Sequence, residues 1–145
     1  DSSMPLHNVT GGGSGIVVIA GQITLTSARF TIGDTLPETD TTDSDTTGRG
    51  VFDLSRPYKV LVDIVSVSDP DGDNNFQIYV DNNTSSSGKS WLGGSSKFYA
   101  TLINELTIGT LEVEGPVASE NSFIQLRTES GGTVTLDNFR IEYID

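Results

Sequence analysis

The stretch Tyr58–Val67 reads Tyr-Lys-Val-Leu-Val-Asp-Ile-Val-Ser-Val, and it constrains the fold more than any other part of the chain. Val60, Leu61, Val62, Ile64 and Val65 make both faces of an extended chain apolar, with Asp63 the exception. β-Branched side chains pack well on a pleated surface and lose freedom in a helix. A strand that is apolar on both faces belongs in the middle of a sheet. Partners of similar character follow from Ile16–Ala20, Gln22–Ile32, Val51–Leu54, Phe76–Asp81, Lys97–Leu102, Leu111–Val113, Phe123–Thr128 and Thr133–Tyr143. Each is short and bounded by turn residues, and the last two are joined by Gly131-Gly132. Only Thr101–Leu106 carries a helical period. About nine short strands predict an all-β fold, a jelly-roll-like β-sandwich of two antiparallel sheets.

Polar segments interrupt these strands. Residues 1–15 end in Gly11, Gly12, Gly13, Ser14 and Gly15 and read as a flexible segment ahead of a single sandwich domain over 16–145. No phosphate-binding glycine spacing follows them. Asp34–Gly50 and Asn82–Ser96 are too poor in apolar residues to form elements and read as long exposed loops.

Charge narrows the class of partner. Twenty acidic and eight basic residues give a net charge of −12, which disfavours nucleic acid and anionic membranes, since phosphate binding needs clustered Lys and Arg. The chain has no cysteine, so disulfides and thiol chemistry are absent. No apolar stretch approaches the length of a membrane span. Together these features suggest a monomeric, extracellular module of a secreted bacterial protein.

Alternation along three strands singles out one outer face. With Phe76, Ile78 and Val80 inward, Gln77 and Tyr79 point out. With Phe98 and Ala100 inward, Lys97 and Tyr99 point out. With Ile124 and Leu126 inward, Phe123, Gln125 and Arg127 point out. If the strands are neighbours, amide, aromatic and cationic groups share one patch. Pyranose C–H faces pack on aromatic rings and their hydroxyls pair with amides. A sugar carboxylate adds an acceptor that Arg grips bidentately and Lys pairs as a point charge. Lys89 and Trp91, in the loop Ser-Gly-Lys-Ser-Trp-Leu-Gly-Gly, extend the same chemistry as a further cation and a stacking platform at the edge.

The segments Gly50–Lys59, Phe76–Thr84, Phe123–Ser130 and Val134–Tyr143 resemble modules appended to bacterial pectate lyases. That resemblance implies a non-catalytic carbohydrate-binding module covalently linked to a catalytic domain, with pectin or its homogalacturonan backbone as ligand. A neutral hemicellulose, alginate, or a structural spacer with no sugar site are the alternatives.

Metal binding and catalysis are two further chemistries to which these residues speak. Asp69-Pro-Asp71-Gly-Asp73-Asn74 alternates carboxylates around a glycine, and with Asp137 it is a candidate for one structural Ca²⁺, although EF-hand spacing is missing. Catalysis has few parts to work with. His7 is the only histidine, which excludes histidine triads and histidine-rich metal sites in this sequence. No carboxylate pair is visibly set in an apolar pocket for glycoside hydrolysis.

Overall fold

In the computed structural model, the described residues are 16–19, 22–27, 29–31, 53–81, 95–119 and 122–145. Their strands, in chain order, are β1 (Ile16–Ile19), β2 (Gln22–Thr26), β3 (Arg29–Thr31), β4 (Tyr58–Ser68), β5 (Asn75–Asp81), β6 (Ser95–Leu102), β7 (Gly109–Glu114), β8 (Phe123–Thr128) and β9 (Thr133–Tyr143). A five-stranded sheet runs β1-β2-β9-β4-β7 and a four-stranded sheet runs β3-β8-β5-β6. Every pairing is antiparallel. The chain stays in one sheet only at the β1–β2 and β5–β6 connections and otherwise crosses between layers, as a jelly-roll-like sandwich requires.

Period-two patterning explains why the two layers meet. Ile23 and Leu25 of β2, Val60, Val62 and Ile64 of β4, and Val134 and Leu136 of β9 are buried from one side. Phe76, Ile78 and Val80 of β5, with Ile124 and Leu126 of β8, are buried from the other and join the same core cluster. Burying each such side chain is worth about 1.5–3 kcal/mol, and cross-strand pairs such as Ile78 with Leu126 put these groups side by side. β4 lies between β9 and β7, the interior position its two-faced apolar character predicts.

Two bulges keep the β4–β9 alternation in phase. Asn138, with φ of 55°, is the extra residue that keeps Phe139 in the core while Arg140 faces out opposite Leu61. Asparagine tolerates this left-handed conformation better than most residues. On β4 the irregularity between Ile64 and Ser66 leaves Val65 exposed and returns Val67 to the core side.

Three expectations change. Gln22–Ile32 is not one strand: Ser27, with φ of 51°, breaks it, and β2 and β3 go to different sheets. Gly131-Gly132 does not close a hairpin, because β8 and β9 lie in opposite layers. It forms a corner in which Gly132 N–H donates to the Glu129 carbonyl (3.1 Å) and Gly131 N–H to Ser27 Oγ (2.9 Å). Gly131 has φ of 100°, and an added Cβ there would lie 2.8 Å from Asp71 Oδ2. The end of the expected Val51–Leu54 strand is irregular at Asp53 and Leu54, although Leu54 is fully buried. The helical period at Thr101–Leu106 appears as a 3₁₀ turn over Ile103–Glu105 that buries Ile103. The 1–15 segment and the Asp34–Gly50 loop lie outside the described residues, as does all of the Asn82–Ser96 loop except its last two positions. No helix among the described residues is long and apolar enough to cross a membrane.

Candidate functional site

The four-stranded sheet places the three singled-out strands together, with β5 hydrogen-bonded to β8 on one side and β6 on the other. Cross-strand partners share a face. Gln77 pairs with Arg127 and Tyr79 with Gln125 across β5–β8, and Tyr79 pairs with Lys97 across β5–β6. Gln77, Tyr79, Lys97, Gln125 and Arg127 therefore occupy one patch on the face opposite the core.

Tyr99 does not join them. The register of β5 with β6 shifts between Ile78 and Tyr79, and Phe98 is the extra residue. Ahead of the shift Lys97 stands beside outward Tyr79. Beyond it Tyr99 stands beside inward Ile78 and packs against the core, while Ala100 is exposed beside Gln77. Burial pushes the Tyr99 phenol pKa up, against a lowering hydrogen bond from Thr101. Lys89 and Trp91 lie outside the described residues.

The patch is layered rather than flat. Gln77 is 4% exposed, Tyr79 7% and Gln125 1%, so these groups form a floor and not the open stacking surface expected from alternation. Arg127 is half-buried and Lys97 exposed. Buried polar groups need partners, and Gln77 and Tyr79 find theirs in one network. Glu129 Oε1 accepts from Asn75 N–H (2.7 Å) and Asn75 Nδ2 (3.1 Å), and Glu129 Oε2 accepts from Gln77 Nε2 (3.3 Å). Gln77 Oε1 in turn accepts from Tyr79 Oη (2.8 Å) and Arg127 Nη1 (3.4 Å).

Two further positions stand beside this row. Glu129 continues the alternation Gln125, Arg127, so its place was legible had β8 been followed two residues further. Arg29 stands opposite Arg127 in the β3–β8 register, a position visible only once Gln22–Ile32 is divided.

The cations of the two sheets differ. Lys59 pairs with Glu112 and with Glu142 (3.2 Å), Arg140 with Asp63 (3.5 Å), and Arg56 with Asp145 (2.8 Å) while lying 3.9 Å over the Tyr143 ring. Hydrogen bonds from Glu112 and Glu142 raise the Lys59 pKa, and that from Asp145 raises the pKa of Arg56. Among the described residues no carboxylate lies within ion-pairing distance of Arg127 or Lys97.

The four candidate metal-binding carboxylates do not converge. Asp69 is buried and already engaged: Asn74 donates its backbone N–H (2.9 Å) and Nδ2 (2.8 Å) to the carboxylate, and Gly72 N–H closes a turn on the Asp69 carbonyl (3.2 Å). The Asn74 side-chain hydrogen bond leads the causes that lower the Asp69 pKa. Asp71 and Asp73 are exposed on the turn. Asp137 pairs with Asp63 on β4, six residues before Asp69 and so about 20 Å away at the rise of a strand. Calcium needs six to eight oxygens, and among the described residues no three acidic or imidazole side chains gather to hold a metal. The turn is held by hydrogen bonds.

Comparison with known proteins is sparse. No protein-family model matches the chain, and no curated protein matches it. One solved structure with a similar course is Xylanase10C from Cellvibrio japonicus, in complex with xylopentaose, at 19% identity and a TM-score of 0.44. The alignment covers 91% of this chain and 25% of that chain, so the sequence spans a quarter of the enzyme's length. This likeness carries no functional assignment.

Proposed function

We propose that the protein is a non-catalytic carbohydrate-binding module, secreted by a bacterium, that anchors a linked polysaccharide-degrading enzyme to an acidic plant polymer such as homogalacturonan. One observation carries the reading. In a chain of net charge −12, Arg56, Lys59 and Arg140 are ion-paired, whereas Arg127 and Lys97 share one outer face with no acidic partner among the described residues. A spacer has no need to hold two cations apart from so many acids. A uronic-acid chain supplies what they lack: a carboxylate for the guanidinium fork and another for the ammonium. The amide and phenol groups beneath them suit a ligand rich in hydroxyls. The resemblance to modules of pectate lyases supports the same ligand.

Affinity electrophoresis against polygalacturonate, its methyl ester, alginate and neutral xylan tests the proposal. Polygalacturonate should retard the protein and esterification should abolish the effect, because the ester has no charge. Arg127→Ala should weaken binding about tenfold, the scale of one lost charged hydrogen bond, while Arg140→Ala should leave it unchanged. Added salt should weaken it further, since exposed charge pairs are screened. Equal retardation by xylan and by the ester would favour the neutral-hemicellulose reading. Stronger retardation by alginate would move the ligand to that polymer, and retardation by none would favour the spacer.

A further inference from the structure

We infer that Glu129 is a positioning residue that commits Arg127 to a carboxylate-bearing ligand by fixing which end of the Gln77 amide faces it. The inference rests on the reading of this face as a sugar-acid site and adds a residue and a polarity to it. An ionised carboxylate only accepts hydrogen bonds. Both Glu129 oxygens are used: Oε1 takes the two Asn75 donors and Oε2 takes Gln77 Nε2. The Gln77 amide is thereby oriented, with its NH₂ toward Glu129 and its carbonyl oxygen toward Tyr79 and Arg127.

Two consequences follow along the chain of contacts. Tyr79 must use its single hydroxyl proton on Gln77 Oε1, so it braces the floor and offers no donor to a ligand. Arg127 is held at Nη1 by the same oxygen. A guanidinium has five N–H donors in a rigid fork, so one anchored edge fixes the direction of the rest. An orientation of this kind favours bidentate capture of a carboxylate over a single bond to a neutral hydroxyl.

Glutamine at 129 would reverse the relay without changing its size. Its carbonyl must still accept from Asn75, so its NH₂ would face residue 77. Gln77 would then turn its oxygen to meet that NH₂ and present its own NH₂ to Arg127. Donor would face donor, and Arg127 would lose its anchor.

The experiment pairs Glu129→Gln with Gln77→Glu, measured by calorimetry on polygalacturonate and followed by thermal melting. Glu129→Gln should weaken binding about tenfold while the protein stays folded. Gln77→Glu alone sets two carboxylates side by side and should weaken binding as well. The double variant restores an acceptor facing Arg127, and it should return to within about threefold of wild type, a coupling that independent sites do not show. A ligand-free measurement accompanies it. In the wild-type protein the Gln77 side-chain amide protons should show stronger nuclear Overhauser contacts to the Asn75 side-chain amide than to the Tyr79 ring. The reverse order of intensities, or a Glu129→Gln variant that binds polygalacturonate as wild type does, would overturn the relay. Independent losses in the double variant would overturn it too. Failure of the wild type to bind any uronic-acid polymer would overturn the ligand assignment, with the amide polarity still judged by the proton contacts.

Discussion

The two outer faces of this sandwich are built on the same alternation and solve opposite problems. On the five-stranded sheet, Thr24 and Thr135 share a hydrogen bond (2.9 Å), as do Thr26 and Thr133 (3.1 Å), and Lys59 lies between Glu112 and Glu142. Nearby, Asp63 collects Thr110 (2.9 Å), Asn138 (3.4 Å) and Arg140 (3.5 Å). The charges of Lys59, Asp63 and Arg140 are answered within the sheet. On the four-stranded sheet the answered groups lie below, in the Asn75–Glu129–Gln77–Tyr79 network, and Arg127 and Lys97 stand above them. Among the described residues, the cations of one face are ion-paired and those of the other are not.

The largest expected difference between the faces is in stability. Gln77→Leu strands Glu129 Oε2, Tyr79 Oη and Arg127 Nη1 at once, and leaving buried polar groups unpaired should cost about 2–3 kcal/mol. Thr24→Val on the other face leaves a part-buried hydroxyl on Thr135, and its cost should stay within about 0.5 kcal/mol. Denaturant melts of both variants check the pair, and equal losses would erase the contrast.

Acid should reach the five-stranded face next. Burial tends to raise the Asp63 pKa, but hydrogen bonds from Thr110 and Asn138 and the charge of Arg140 outweigh it, so the net shift is downward from 3.8. A lowered folded pKa contributes stability that is complete above the unfolded value and is lost as pH falls through the lowered one. The Asp63 side chain is 34% exposed, so screening holds this contribution below about 1 kcal/mol. Asp63→Asn should therefore give a melting temperature that falls less steeply than wild type as pH drops below 3.8. A parallel decline would show that Asp63 contributes nothing of the kind.

Calcium should have the smallest effect. With Asp69 occupied by Asn74, replacing EDTA with millimolar Ca²⁺ should move the melting temperature by about 1 °C or less, because only a ligand that binds the native state stabilises it. A rise of several degrees would show that an ion binds the native protein.

Much of this was legible in the residues. The alternation of Phe76, Ile78 and Val80 against Gln77 and Tyr79, and of Ile124 and Leu126 against Gln125 and Arg127, placed two strands correctly because apolar and polar residues strictly exchange. In β6 the run Phe98-Tyr99-Ala100 gives no such exchange, so the one-residue shift at Phe98 was invisible and Tyr99 was set on the wrong face. The corner at Gly131-Gly132 resembles a hairpin turn in composition, and only long-range pairing sends its two strands into different sheets. Burial of the Gln77 and Tyr79 floor was equally hidden, because alternation reports which face a residue takes and not what lies over it.

The irregularity at Phe98 also has a bearing on how the protein behaves among its own copies. Among the described residues β6 is an edge strand, with a row of backbone donors and acceptors that another chain's strand could extend. A bulge in such an edge breaks its regular spacing and twists it out of line, and Lys97 beside it adds a charge that identical edges would have to bring together. A module that accumulates on a polymer, as proposed above, would reach high local concentration, where edge-to-edge pairing of strands becomes a hazard. The same single inserted residue that turns Tyr99 inward would thus help keep neighbouring copies separate.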